Sequence, residues 1–300
     1  MGLKKILIDA IPAPLVRLFA APYVSGDSIE AAVAAADRVH REQGLLSTID
    51  MLGESIETAE DARRCRDRYL EILEHIRERP HCTVSLKPTS MGLKQGVNPT
   101  LKNIEAVVRR AREIGRGVTI DMEDRSTVDA TLEIYRILRT RYDNVGTVLQ
   151  SKLLRTRDDV ERLSDVGGRF RICLGAYPEP SEVAHTSKPR MKEALYELAL
   201  RMLELGYYVE LATHDEALLD RILAEAERRR VPKDRFEIQW LLGVPVTRMY
   251  DKYARQGVRM RLYVPYCDDW SHATRYLKRR LLLNPSLMTY VLSNLVLRGR

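Results

Sequence analysis

Eight short apolar runs, each followed by a helical pattern, constrain this 300-residue chain more than any other feature. The runs are Leu45–Met51, Cys82–Leu86, Val118–Met122, Val145–Leu149, Phe170–Leu174, Tyr208–Ala212, Phe236–Trp240 and Met260–Val264. Each is 5–7 residues long, which is strand length. The helical patterns lie at 58–78, 100–114, 126–141, 156–165, 189–205, 215–230, 246–256 and 271–284. A further one at 27–43 precedes them, with Ile29, Ala32, Val33, Ala36 and Val39 on one stripe. Thr58-x-x-Asp61 and Thr156-x-x-Asp159 read as capping boxes, and Gly44, Gly115, Gly167 and Gly257 fall where helices should stop. Strands that alternate with helices predict a parallel sheet, because a parallel connection needs a long crossover. Eight repeats predict a closed (β/α)8 barrel; an open doubly wound sheet is the second choice, weakened by the lack of GxGxxG after any strand. The chain then divides into an N-terminal helical cover (1–44), the barrel (45–285) and a C-terminal tail (286–300).

Charge narrows the function classes. Lys and Arg number 49 against 42 Asp and Glu, a net charge of +7. The basic pairs Arg63-Arg64 and Arg109-Arg110 and the run Arg228–Arg230 sit on different helices among acidic neighbours, not on one stripe, which argues against nucleic-acid binding. Cys65, Cys82, Cys173 and Cys267 form no CxxC pair and the six histidines no HExxH. Neither a disulfide framework nor a zinc site is expected, and a reducing cytoplasm is the natural compartment. No run approaches the roughly 20 apolar residues of a spanning helix. Asp9 and Arg17 interrupt the apolar N-terminal stretch, so no signal peptide is expected either.

In such barrels function sits at the C-terminal ends of the strands. Here those ends read Asp50-Met-Leu-Gly-Glu54, Ser85-Leu-Lys87, Asp121-Met-Glu123, Gln150, Arg171 ahead of Gly175-Ala176-Tyr177, Thr213-His214, Gln239-Trp-Leu241 and Tyr263. Singly, each has a structural explanation: Lys87 can snorkel, His214 can cap a helix, and Gln150 can satisfy backbone groups. Converging in one barrel, they form a cup rich in donors and poor in metal ligands, which suits an anionic substrate, a phosphate or an electron-rich cofactor. Beyond the last strand, Tyr276, Arg279 and Arg280 stand at i, i+3 and i+4 of a helix and share one face. Two guanidiniums beside an aromatic ring suit a small carboxylate with an apolar body. The strand-end Lys87 also permits a different chemistry, a cofactor-free lyase or aldolase that uses it as a Schiff-base nucleophile.

These residues resemble the proline dehydrogenase family, flavoenzymes that oxidise L-proline to Δ1-pyrroline-5-carboxylate. The matching stretches are Asp50-Met-Leu-Gly-Glu-Ser, Val84-Ser-Leu-Lys, Thr119-Ile-Asp-Met-Glu, Val148-Leu-Gln, Arg171-x-x-x-Gly-Ala-Tyr177, Ala212-Thr-His214, Phe236-Glu-Ile-Gln, Tyr263-Val-Pro and Tyr276-Leu-Lys-Arg-Arg280, in the family's order. The resemblance implies a distorted (β/α)8 TIM-like barrel with its final helix over the mouth, and a non-covalent FAD on the strand ends. It implies hydride transfer from proline C5 to flavin N5, with Lys87, Asp121, Tyr263, Arg279 and Arg280 as the catalytic set. Arg279 and Arg280 bind the proline carboxylate and Lys87 is a further partner. Tyr263, Tyr276 and Leu241 wall the pyrrolidine ring, with Tyr177 nearby. Gln150, Arg171, Gly175, Ala176, Thr213, His214 and Gln239 hold the flavin, and Glu54 is an acidic gate that pairs with Arg279. A cup crowded with Lys and Arg is expected to oppose the ammonium form of proline, which must lose a proton before it can be oxidised. The resemblance further implies a quinone acceptor, peripheral contact with the inner face of a membrane, and a separate pyrroline-5-carboxylate dehydrogenase downstream. Two positions depart from the family: Leu174 stands where a lysine is usual and Leu283 where a glutamate is usual.

Overall fold

The computed structural model of the chain describes residues 22–53, 56–271 and 274. Eight strands close into one parallel barrel in sequence order. They are β1 (Leu46–Met51), β2 (Cys82–Leu86), β3 (Val118–Ile120), β4 (Val145–Gln150), β5 (Arg169–Cys173), β6 (Tyr208–Ala212), β7 (Phe236–Leu241) and β8 (Arg259–Tyr266). β8 pairs back onto β1 from Leu46↔Arg261 to Met51↔Tyr266, so the sheet is closed and the open alternative falls. The helices are α1 (Ile29–Gln43), α2 (Ala59–His75), α3 (Val97–Glu113), α4 (Val128–Arg139), α5 (Thr156–Arg162), α6 (Lys188–Glu204), α7 (Glu216–Arg228) and α8 (Thr247–Arg255).

Local chemistry explains most boundaries. Thr58 and Asp61 form the expected capping box: the Thr58 hydroxyl accepts from Asp61 N at 3.1 Å, and the Asp61 carboxylate accepts from Thr58 N at 2.9 Å. The second expected box does not form. Thr156 is already helical, its hydroxyl donates to the last carbonyl of β4 (Gln150 O, 2.6 Å), and Asp159 is held by Arg155 at 2.8 Å. The helix begins one residue earlier than the box requires, and the Asp159 N–H that Thr156 would have accepted donates to Arg155 O at 3.0 Å. Gly115 and Gly257 close α3 and α8 at φ +69° and +68°, the left-handed region where a side chain is strained. β3 stops at Ile120, two residues before its apolar run ends, and Asp121 N makes one further bond to Leu86 O at 2.8 Å.

The barrel wall has two unlike faces. Ile49, Val84, Ile120, Phe170, Leu211 and Ile238 are each 0% exposed and belong to the apolar core beneath the helices. The alternate residues turn into the lumen, and many of them carry charge. α1 packs against both β1 and β8, the groove that the helix after β8 fills in a regular barrel. The chain enters α1 from the mouth end, where Ser25 N donates to Pro265 O at 2.8 Å and Cys267 N to Gly26 O at 3.1 Å. Among the described residues no helix is long and apolar enough to cross a membrane. Residues 1–21, the tail at 286–300 and, apart from Ser271 and Thr274, the expected helix at 271–284 lie outside the described residues.

Candidate active site

Asp121, one residue past β3, is the hub of the upper lumen. Its Oδ1 accepts from Ser85 Oγ at 2.6 Å and from Arg171 Nη1 at 2.8 Å, while its Oδ2 accepts from Tyr263 Oη at 2.7 Å. β3 does not neighbour β5 or β8 in the sheet, so these bonds can only cross the lumen. Lys87 Nζ donates to Asp50 Oδ1 at 2.6 Å and lies 3.5 Å from Asp121 Oδ2. The Arg171 guanidinium stands over the Tyr263 ring, 5.1 Å from its centroid. Two cations, Lys87 and Arg171, therefore meet two carboxylates, Asp50 and Asp121.

Electrostatics set the protonation states. Burial pushes the Lys87 ammonium pKa down, but the Asp50 and Asp121 charges more than reverse this, so it rises above the ordinary lysine value. Burial likewise works to raise Asp121, and Lys87, Arg171 and the hydrogen bonds from Ser85 and Tyr263 bring it below the usual carboxylate range. Tyr263 is pushed well up by burial and by Asp121, and stays a phenol that donates. Lys87 is thus held as an ammonium between Asp121 and Asp50, whose own carboxyl burial pushes up. A Schiff-base nucleophile must be neutral, so the lyase alternative loses its one distinctive residue.

A second charged layer lies below. Glu237, fully buried on β7, accepts from Arg261 Nε at 2.6 Å, Arg169 Nη2 at 3.1 Å, Tyr208 Oη at 2.8 Å and Gln239 Nε2 at 2.7 Å. Arg169 also pairs with Glu210. Gln239, expected at the flavin, has both ends of its amide engaged here: Oε1 accepts from Arg171 Nε at 2.6 Å and Nε2 donates to Glu237. It links the two layers and orients Arg171. Glu210, Glu237 and Arg261 were not candidates from the sequence, and Asp50 and Ser85 appeared there as strand-end residues without an assigned role. A visible signal was present, since charged or amide side chains recur at every second position in Arg169-Phe-Arg171, Glu237-Ile-Gln239 and Arg259-Met-Arg261.

The residues expected to hold the flavin line the strand ends. Gln150, 2% exposed at the end of β4, donates from Nε2 to Glu123 O at 2.6 Å. Among the described residues its Oε1 has no partner, and neither does Arg171 Nη2, although both atoms are buried. Gly175 follows β5 at φ +104°, where a Cβ would lie 2.5 Å from Gln150 Oε1. Ala176 is exposed and Tyr177 half-buried in the same connection. Thr213 Oγ1 accepts from Asp215 N at 3.2 Å, and Asp215 caps α7. His214 is therefore not the helix cap; its Nε2 accepts from Leu241 N at 3.1 Å, which ties the ends of β6 and β7. Glu54, Tyr276, Arg279, Arg280 and Leu283 lie outside the described residues. Among the described residues no three His, Cys, Asp or Glu are grouped to hold a metal ion.

The comparisons with known proteins agree with this fold. The family model described as proline dehydrogenase matches residues 33–291. Proline dehydrogenase 1 of Bacillus subtilis (strain 168) is 34% identical over 281 residues, 93% of this chain and 91% of that protein. The proline dehydrogenase of Deinococcus radiodurans is 31% identical over 280 residues, 91% of this chain and 89% of that one. Among solved structures, proline utilization A of Bdellovibrio bacteriovorus inactivated by N-propargylglycine superposes with a TM-score of 0.81 at 22% identity. It covers 88% of this chain, which spans 32% of that longer chain, and it supports the barrel fold alone. With matches to two named monofunctional relatives over nine-tenths of its length, this chain belongs to the proline dehydrogenase family.

Proposed function

We propose that this chain oxidises L-proline to Δ1-pyrroline-5-carboxylate with FAD as its resident cofactor, the first step of proline catabolism. The observation that carries the cofactor is the pair of orphaned atoms at the ends of β4 and β5. Arg171 Nη2 is a buried donor and Gln150 Oε1 a buried acceptor, both without partners among the described residues. Leaving either so is costly in a dry site. The edge of an isoalloxazine ring alternates acceptors with an N–H donor, which is the complementary set. Gln150, Arg171, Gly175, Ala176, Thr213 and His214 are the residues that would hold it, with Gln239 acting through Arg171. Bound there, the flavin supplies the two-electron acceptor for the hydride that leaves proline C5.

The chain's own residues bind and orient the substrate. An ammonium has three N–H donors; Lys87 directs one to Asp50 and leans weakly on Asp121, leaving a donor for the proline carboxylate. Tyr263 and Leu241 form apolar walls at the ends of β8 and β7. Asp121 holds Ser85, Arg171 and Tyr263 in fixed positions and so presets the cup before substrate enters. Tyr276, Arg279 and Arg280 belong to this reading as the lid residues that grip the carboxylate, with Glu54 as the gate. Its support is that α1 already fills the groove between β8 and β1, which frees the segment after β8 to cross the mouth. One expectation changes. Lys87 and Arg171 are each matched by a carboxylate, so they add no net charge against the proline ammonium. That task falls to Arg279 and Arg280. A quinone acceptor, peripheral contact at the inner face of a membrane in an otherwise cytoplasmic protein, and a separate downstream dehydrogenase complete the proposal.

An anaerobic spectral titration tests it. The purified chain should carry a flavin absorbance that bleaches on addition of L-proline; a protein that takes up no FAD sinks the reading. Arg280→Met should raise the KM for proline steeply with flavin still bound, and unchanged kinetics would remove the arginine pair from the site.

A further inference from the structure

Lys152 lies two residues beyond the end of β4, tucked under the connection from β5 to α6. Its N–H donates to Leu174 O at 3.0 Å and its carbonyl accepts from His185 N at 2.8 Å, so its backbone is fixed on both sides. The residue is 8% exposed. Its stem crosses the face of Gly175, where a Cβ would come within 2.5 Å of Lys152 Cδ, so only glycine lets the lysine lie there. The ammonium donates to Tyr177 O. It makes no ion pair among the described residues, and Glu179 acts on it only through space. Burial pushes its pKa down. A buried ammonium with a single carbonyl partner carries a heavy desolvation cost, in contrast to Lys87, which has two carboxylates. Two of its three N–H donors remain, and its stem shares the face of Gly175 with the orphaned Gln150 Oε1.

We propose that Lys152 is a cofactor-binding residue whose ammonium meets a phosphate of the flavin dinucleotide. The inference rests on the FAD reading above. Two observations select the phosphate. An unpaired buried cation calls for a full negative charge, and in oxidised FAD at neutral pH only the pyrophosphate carries one. The backbone of Lys152 also pairs with Leu174, the position where the resemblance leads one to expect a lysine. Here the lysine stands just beyond the end of β4, beside the leucine that follows β5, and Gly175 makes room for its stem.

The test is flavin binding by the full chain, stripped of bound flavin and titrated with FAD and with riboflavin at low and high salt, followed by quenching of flavin fluorescence. Lys152→Met should weaken FAD at least tenfold, about 1.4 kcal/mol. Riboflavin, which has no phosphate, should bind as before, and the salt dependence of FAD binding should flatten. Lys152→Arg should keep most of the affinity. Adding Leu174→Lys to Lys152→Met should restore it. If Lys152→Met does not fold by circular dichroism, Lys152→Gln decides, since it keeps a donor to Tyr177 O without the charge. Unchanged FAD affinity overturns the assignment, and so does an equal loss for FAD and riboflavin, which would make Lys152 a support of the cup. A parent chain that binds no flavin at all overturns the FAD reading along with it, whereas a parent that binds FAD as tightly as the variant overturns only the role of Lys152.

Discussion

Phe170 and Arg171 are neighbours on β5 and almost equally buried, yet they face different surroundings. Phe170 points outward, edge-on to Tyr135 with ring centroids 5.3 Å apart and 4.7 Å from Tyr207, under the helix layer. Arg171 points inward to Asp121, Ser85 and Gln239. The outer face gains stability from apolar burial and close packing. Charges on the inner face must first be desolvated, and pairing them does little more than recover that cost. A lumen built of Lys, Arg, Asp and Glu is therefore a poor way to stabilise a barrel and a good way to prearrange donors and acceptors. The contrast teaches where to look: the shell holds the fold and the lumen holds the site.

Four experiments sharpen or break that contrast. Asp121→Ala should have the largest effect, because it strips a shared acceptor from Ser85, Lys87, Arg171 and Tyr263. Unfolding free energy should fall by about 3–5 kcal/mol, as for a buried pair that loses one partner. Turnover should fall on the order of a hundredfold, the cost of a misplaced constellation. Denaturant midpoints with steady-state kinetics measure both, and a stable, active variant would show that the lumen is not preorganised through Asp121. Phe170→Ala should cost a similar ~3–5 kcal/mol through the cavity it leaves. Its kcat and KM in the folded enzyme should stay near those of the parent; a marked kinetic loss would erase the division between shell and lumen.

Glu237 sharpens the contrast through pH. Burial alone would raise its carboxyl, but Arg261 and Arg169 with Gln239 hold it at about 2, against 4.5 for a free glutamate. A depressed pKa stabilises the folded state fully above the unfolded value and loses that contribution as pH falls from about 4.5 towards 2. The term is about 3 kcal/mol on the linkage scale. Melting temperatures between pH 5 and pH 2 should therefore drop more gently in Glu237→Gln than in the parent, from a lower starting point; parallel curves would count against a charged Glu237. Thr58→Ala should have the smallest effect, about 1 kcal/mol for a lost helix cap, with kinetics untouched. A change in kinetics there would mean that the start of α2 is coupled to the mouth.

Much of this was legible in the residues. Every strand was located by an apolar run of the right length, and Thr58, Gly115 and Gly257 marked helix ends through chemistry that acts within one turn. The polar strand ends identified Lys87, Asp121, Gln150, Arg171 and Tyr263 as one group. The errors are equally local in origin. Thr156 has the spacing of a capping residue, but it lies inside the helix, and the Asp159 N–H it would have accepted goes to Arg155 O. At Gln239, expected at the flavin, the structure adds partners that the sequence did not show, with Arg171 and Glu237 engaging both ends of its amide. Lys152 drew no notice, because nothing in a run of Gln-Ser-Lys shows that the lysine will be buried against a glycine just beyond the next strand.

The sequence by itself determined the order of strands and helices, the barrel class and the residue types at the mouth, because periodicity, caps and turn glycines act over a few positions. Only the tertiary structure decided which charges meet. Closure of β8 on β1 brings Tyr263 to within 2.7 Å of Asp121, 142 positions away, and the pairing of β1, β2 and β3 sets Lys87 between Asp50 and Asp121. Coulombic and hydrogen-bond energies depend on those separations in space, and distance along the chain does not reveal them.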